Sequence, residues 1–270
     1  MLISSWCRSC SDPRSRRTAP TKRAPAYYLW AVLIARIYEV FPQLSPFTYH
    51  QSHMKSSLTV WGRRSSFNVQ KVLWTLGELS LDYEHRDAGG SFGGLDDPAF
   101  LAINPNGLVP VILDEEGSVW ESNSIVRYLC AKHSRGNLWI EDPFARSKAD
   151  RWIDWAATGL QPSFMRLFWG YYRTPEGQRD KMANQAALSS CIKHFRLLDA
   201  HLANNDFLAG SHFTAADIPA GTALHRYFGM GLAVEEPPNV MAWFSRIRDR
   251  PAFRQHVLVP FDDLYGRLAL

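Results

Sequence analysis

The chain has 270 residues and a mass of 30.8 kDa, with 46% apolar and 13% aromatic side chains. That content is too hydrophobic for a disordered chain and large enough for two packed domains, and four cysteines are too few for a disulfide scaffold. Lys and Arg number 30 against 26 Asp and Glu, a net of +4 and a pI near 8.9, which by itself points toward a polyanionic partner.

The excess is confined to one segment. Residues 1–53 carry Arg8, Arg14, Arg16, Arg17, Lys22, Arg23 and Arg36 against Asp12 and Glu39, a net of +5. Residues 54–270 hold 23 basic and 24 acidic side chains, a net of −1, so no nucleic-acid partner is expected. Residues 1–56 read as a basic N-terminal extension. Its 7–25 stretch is rich in Arg, Ser and Pro, a composition that predicts disorder, and an aromatic-aliphatic run follows from Tyr27 to Phe41. Three readings stay open: an extension outside the functional protein, a targeting or anchoring segment, or a docking element. Arg36 and Glu39 interrupt the run, and no uncharged apolar stretch reaches the roughly 18 residues that a spanning helix needs. Met54-Lys55-Ser56-Ser57 reads as a natural start just before the first strand pattern. Cys7-x-x-Cys10 has no second ligand pair nearby, so no metal site is expected.

From Leu58 onward the pattern is regular. Leu58–Trp61 predicts a strand ended by Gly62, and residues 67–79 place Val69, Val72, Leu73, Leu76 and Leu79 on one helical stripe. Leu81–Asp87 alternates as a second strand, and the glycine-rich loop Gly89–Gly94 leads to a short helix near Asp97–Ala102. Val109–Leu113 predicts a third strand, turned at Glu116-Gly117 into a fourth at Ser118–Trp120. Ser122 is expected to cap a helix with Ile125, Val126, Leu129 and Cys130 on its inner face. Strand, helix, strand, helix, strand, strand, helix is a thioredoxin-like order with a four-stranded mixed sheet.

After about Trp139 the strand patterns stop. Phe144, Ala149, Trp152, Ile153, Ala156 and Leu160 mark one long helix, expected to break or kink at Pro162. Leu188, Cys191, Ile192, Phe195, Leu198 and Leu202 mark another. Thr214-Ala215-Ala216-Asp217 is a capping-box variant, in which Thr214 would accept from the third-residue amide and Asp217 would reach back. Residues 239–248 and a short helix before Pro260 complete an all-helical second domain. The domains are placed at 57–136 and 142–270.

Three motifs follow one another at a telling spacing: Asn104-Pro105-Asn106-Gly107-Leu108-Val109-Pro110, Trp120-Glu121-Ser122-Asn123-Ser124-Ile125, and Phe213-Thr214-Ala215-Ala216-Asp217. With them the chain from Leu58 to the C-terminus resembles the cytosolic glutathione transferases, in the bacterial branch that carries Ser, Thr or Asn near the active site (theta- or nu-like). The resemblance implies an α/β plus all-α fold: a thioredoxin-like glutathione-binding domain followed by a helical bundle carrying the second-substrate pocket.

It also implies roles. A cis bond before Pro110 would open the backbone of Val109 to the cysteinyl part of glutathione. Ser122 at a helix N-terminus would take a carboxylate, and Glu121 the ammonium, of the γ-glutamyl group. The turn Gly62–Val69 holds no Tyr and no Cys, so a serine hydroxyl or an amide would donate to the glutathione sulfur and favour its thiolate. Ser66, Asn68 and Ser65 are the candidates, in that order. Arg63, Arg64 and Lys71 would draw the anionic tripeptide. Phe164, Met165, Trp169, Tyr171, Tyr172 and Tyr227 would form an aromatic pocket for a hydrophobic electrophile or a disulfide.

The implied activity is transfer of glutathione to a hydrophobic electrophile. Glutathione-dependent disulfide reduction, suggested by Asn68, shares the same site residues, and a non-catalytic dimerisation or interaction module is the rival from another class. A cytoplasmic homodimer is expected, without metal, nucleic acid or membrane attachment.

Overall fold

The structure, a computed structural model, describes residues 58–134, 136 and 138–268. The readings made of Cys7, Cys10, the Tyr27–Phe41 run and the Met54–Ser57 start lie outside the described residues. Strand β1 (Leu58–Trp61) is followed by helix α1 (Phe67–Glu78), β2 (Tyr83–Arg86), α2 (Pro98–Ile103), β3 (Val111–Asp114), β4 (Gly117–Trp120) and α3 (Ser122–His133). The sheet order is β2-β1-β3-β4, with β1 and β2 parallel and the other neighbours antiparallel. A parallel pair needs a crossover, and α1 provides it. Val60 faces Ile112 across the antiparallel pair and His85 across the parallel one.

Element ends shift by a residue or two from the sequence expectation in several places, and two of the shifts bear on the site. The third strand begins at Val111 rather than Val109, just after the cis Val109–Pro110 peptide. Ser122 is the first residue of α3 and not its cap. The cap position belongs to Glu121, whose backbone lies outside the helical region at φ 68° and ψ 115° and whose carbonyl accepts from the Ile125 amide at 2.9 Å.

The helical part comprises α4 (Pro143–Trp155), α5 (Gln161–Leu167), α6 (Lys181–Leu202), α7 (Asp217–Gly229), α8 (Pro238–Arg248) and α9 (Pro251–His256). The expected break at Pro162 is absent. A π-helical turn over Ala156–Leu160 joins α4 to α5 with helical backbone throughout. Proline has no amide to donate, and the wider turn accommodates that loss without ending the helix.

Each of the two central helices has two apolar sides. Val69, Val72, Leu73 and Leu76 of α1 pack with Leu58, Val60 and Ile112 of the sheet and with Ile125 and Leu129 of α3. Phe67 and Trp74 of α1, and Val126 and Cys130 of α3, belong instead to the helical core with Phe164, Leu224, Trp243 and Phe253. The sheet and the bundle therefore grip the same two helices, and the residues at the N-termini of those helices come together.

Candidate active site at the first strand-to-helix turn

Gly62 makes the turn possible. Its φ is +141°, and a β-carbon there would lie 2.4 Å from Val69 Cγ2 and 3.1 Å from Val109 Cβ. The Arg63 amide donates to the Ala88 carbonyl at 3.0 Å, and the Ser66 amide to the Arg63 carbonyl at 2.9 Å. Ser66 then holds the N-cap position of α1 in extended conformation without a side-chain cap bond. Its hydroxyl is thus not spent on the helix end, where the amides of the first turn make a positive pole. Ser65 is anchored by its carbonyl, which accepts from Arg226 Nη2 at 2.6 Å.

The opposite wall is the Asn104–Pro110 turn. Asn104 ties it together: Nδ2 donates to the Leu108 carbonyl at 2.8 Å, and Oδ1 accepts from the Asn106 amide at 3.0 Å. The Val109 backbone enters none of the sheet or turn hydrogen bonds among the described residues. Beyond it, Glu121 is exposed and Ser122 buried.

Asn68 connects the first turn to the start of α3 and to Gln161 of the helical part. Its Oδ1 accepts from Lys71 Nζ at 3.0 Å, Gln161 Nε2 at 3.2 Å and Ser122 Oγ at 3.4 Å, and none of these contacts uses its Nδ2 donors. Lys71 also donates to Gln161 Oε1 at 2.6 Å and lies 4.8 Å from the Phe67 ring centre. Lys71 was expected, with Arg63 and Arg64, to draw an anion from solution, but it has no exposed surface. Burial brings its ammonium down to about 7, with the nearby Glu121 carboxylate pulling the other way.

The structure brings Ser122 to Asn68 and Val109 against the Gly62 turn that carries Ser65 and Ser66, and it adds three residues that sequence reasoning missed or misread: Lys71, Gln161 and Arg226. A polar signal for Lys71 exists, three residues after Asn68 inside an otherwise apolar stripe. Gln161 and Arg226 come from the helical part and carry no local signal. The expected aromatic pocket needs correction. Phe164, Tyr172 and Tyr227 are core residues at 0%, 6% and 1% exposure, whereas Met165 and Tyr171 are half-buried and Trp169 is exposed. Tyr172 stacks on Phe168 at 5.2 Å and Tyr227 packs on Phe195 at 4.3 Å, which leaves them no free face for a ligand. The described cysteines, Cys130 and Cys191, are buried, and burial pushes their thiols up to about 12, so neither is a ready nucleophile. Among the described residues there is no cluster of metal-ligating side chains.

A thioredoxin-like sheet domain joined to a helical bundle, with a polar cleft at the first strand-to-helix turn, defines a class. The chain belongs to the glutathione S-transferase family: residues 61–137 match the family's N-terminal domain and residues 160–251 its C-terminal domain. Over 205 residues, 75% of this chain and 99% of the relative, it is 42% identical to glutathione S-transferase GstB of Escherichia coli K12. It is 30% identical to glutathione S-transferase 3 of Zea mays, over 74% of this chain and 93% of that one. Among solved structures it resembles the glutathione-bound theta class glutathione S-transferase of Xanthomonas axonopodis pv. citri, with a TM-score of 0.73 and 41% identity over 76% of this chain and 99% of that one.

Proposed function

We propose that the chain is a glutathione transferase that holds glutathione as its thiolate at the Ser66 end of α1 and transfers it to an electrophile. The observation that carries the reading is the backbone of Glu121. A non-glycine residue at φ 68° and ψ 115° costs about 1–3 kcal/mol, and such cost is kept where a side chain must be aimed. Here it places Glu121 at the N-cap of α3 with an exposed carboxylate that makes no cap bond, so that one junction would offer an acceptor for an ammonium and the helix-end amides for a carboxylate. That is the zwitterion of a γ-glutamyl group.

The remaining pieces fit the same ligand. The unpaired Val109 backbone would accept the cysteinyl segment as an added strand. The Ser66 hydroxyl, or Nδ2 of Asn68, would donate to sulfur near the positive end of α1. A depression of one pKa unit requires about 1.4 kcal/mol, so one charge-assisted hydrogen bond plus the helix end suffices for roughly two units. The thiolate then attacks an electrophilic carbon: a C–S bond forms and the leaving group departs with its electron pair. On this reading residues 57–136 bind glutathione and 142–270 carry the second substrate, in a cytoplasmic homodimer. No described helix is long and apolar enough to cross a membrane.

Conjugation of glutathione to chlorodinitrobenzene, compared with glutathione-dependent reduction of hydroxyethyl disulfide, tests the reading. Turnover of the aryl chloride, lost in Ser66→Ala, is expected. Turnover of the disulfide alone, lost in Asn68→Ala, would replace transfer by reduction. No turnover of either would remove the enzyme reading.

A further inference from the structure

Beside the turn lies a cavity of about 460 Å³, lined in part by Arg63, Arg64, Ser65, Phe92, Asp263 and Arg267. Its positive charge exceeds its negative charge. Asp87 and Asp263 are the carboxylates on its wall, and Asp87 is shared with His85 at 3.3 Å. Behind the wall Arg226 is 4% exposed, packed between the rings of Phe168 and Phe261 at 5.4 and 5.8 Å. Its hydrogen-bond acceptors are neutral: the Ser65 carbonyl and Gln70 Oε1 at 3.2 Å. Arg63 Nε is buried and has no acceptor.

Among the described residues neither Arg63 nor Arg226 forms an ion pair with a carboxylate. Burial, and then repulsion from Arg63 and Arg173, lower the Arg226 guanidinium to about 10, against the pull of Asp263 and Tyr172. A desolvated cation hydrogen-bonded only by neutral acceptors, with the Asp263 carboxylate nearby set against two neighbouring guanidiniums, remains short of the negative charge that would offset its burial. A ligand anion in the cavity would supply it, and the exposed Phe92 on the same wall offers an aromatic face.

We propose that this cavity receives an anionic group on the second substrate, so that the preferred electrophiles are carboxylate-bearing aromatic compounds, with Arg63 as the specificity-determining residue. The inference rests on the transferase reading and adds a substrate class to it. The reaction is unchanged: the thiolate displaces the leaving group, which departs with its electron pair, while the carboxylate stays intact and serves only to position the ring.

The test compares chloronitrobenzoate with chloronitrobenzamide, which share a leaving group and differ by one charge. Each kcat/KM is divided by the rate of the uncatalysed reaction with glutathione. The intact chain is expected to favour the carboxylate by about tenfold or more, Arg63→Gln to lose that preference, and Arg63→Lys to keep part of it. The readout is the ratio of the two electrophiles within each variant, in which any effect of Arg63 on glutathione binding cancels. Equal acceleration of the two electrophiles by the wild type would overturn the inference and leave the transferase reading standing. An equal loss on both in Arg63→Gln, with a raised glutathione KM, would also overturn it by assigning Arg63 to glutathione. No acceleration of either would overturn the inference together with the reading on which it rests.

Discussion

Lys71 shows how one buried charge reports on the cleft. With an ammonium near 7 in the folded chain and an ordinary value of 10.5, the folded state binds fewer protons than the unfolded state between those values. Stability from this group therefore rises with pH across that window. The unfolding free energy of wild type minus that of Lys71→Met is expected to climb from about pH 7 to about pH 10; a flat difference would contradict it. Glu121 gives the complementary prediction. Glu121→Gly removes the carboxylate but suits the positive φ, so stability should hold or rise by up to about 1 kcal/mol while glutathione affinity falls about tenfold or more. A parallel loss of stability and affinity in denaturant and binding titrations would deny the carboxylate its own role. That Ser66, Asn68, Glu121 and Ser122 lie at helix starts was legible in the sequence because each sits in or beside a short motif, while their roles toward glutathione belong to the proposal. Lys71 was misread because a partner that covers its ammonium, Gln161, lies 90 residues away in sequence.

At the scale of the element, the start of α7 is the clearest case of a pattern read in outline but not in detail. Asp217 does reach back, its Oδ2 accepting from the Thr214 amide at 2.9 Å. Thr214 Oγ1, however, accepts from the Ala216 amide at 3.3 Å, while the Asp217 amide goes to the Thr214 carbonyl at 3.1 Å. The local pattern could not reveal that Asp217 Oδ1 also accepts from the Leu208 amide at 2.9 Å and from Trp243 Nε1 at 3.0 Å, joining α7, α8 and the preceding loop. Burial pushes this carboxyl up to about 6 against those donors, which pull it down. Asp217→Asn turns an amide toward donors that need an acceptor, and an expected loss of about 2–4 kcal/mol in chemical denaturation follows. A change below about 0.5 kcal/mol would show that the donors find other partners. The π-turn before Pro162 belongs to this scale too: proline signalled a disturbance, and the chain passes it through a π-turn rather than a break.

At the scale of the molecule, the sheet and the bundle share α1 and α3. Trp74 of α1 packs its ring on Phe253 at 4.8 Å and donates to Glu78 Oε1 at 2.8 Å, and the same carboxylate takes the fork of Arg250 at 2.7 and 2.6 Å. Arg127 of α3 adds an ion pair to Asp150 at 2.9 Å and another to Asp154, both on α4. Units coupled in this way unfold together. Tryptophan fluorescence and far-ultraviolet circular dichroism should trace one coincident transition, shifted by about 2 kcal/mol in Glu78→Gln; two separate transitions in the wild type would contradict the shared core. The alternation of apolar residues announced the two domains, but contacts between segments far apart in sequence had to come from the fold. The central claim, that the cleft binds glutathione as a thiolate, is tested most directly by calorimetric titration of the full chain with glutathione at neutral pH, repeated in buffers of different ionisation enthalpy. Binding accompanied by release of a proton is predicted, since a thiol with an ordinary value near 8.5 must ionise on entering the site. Binding without proton release, or no binding, would contradict it.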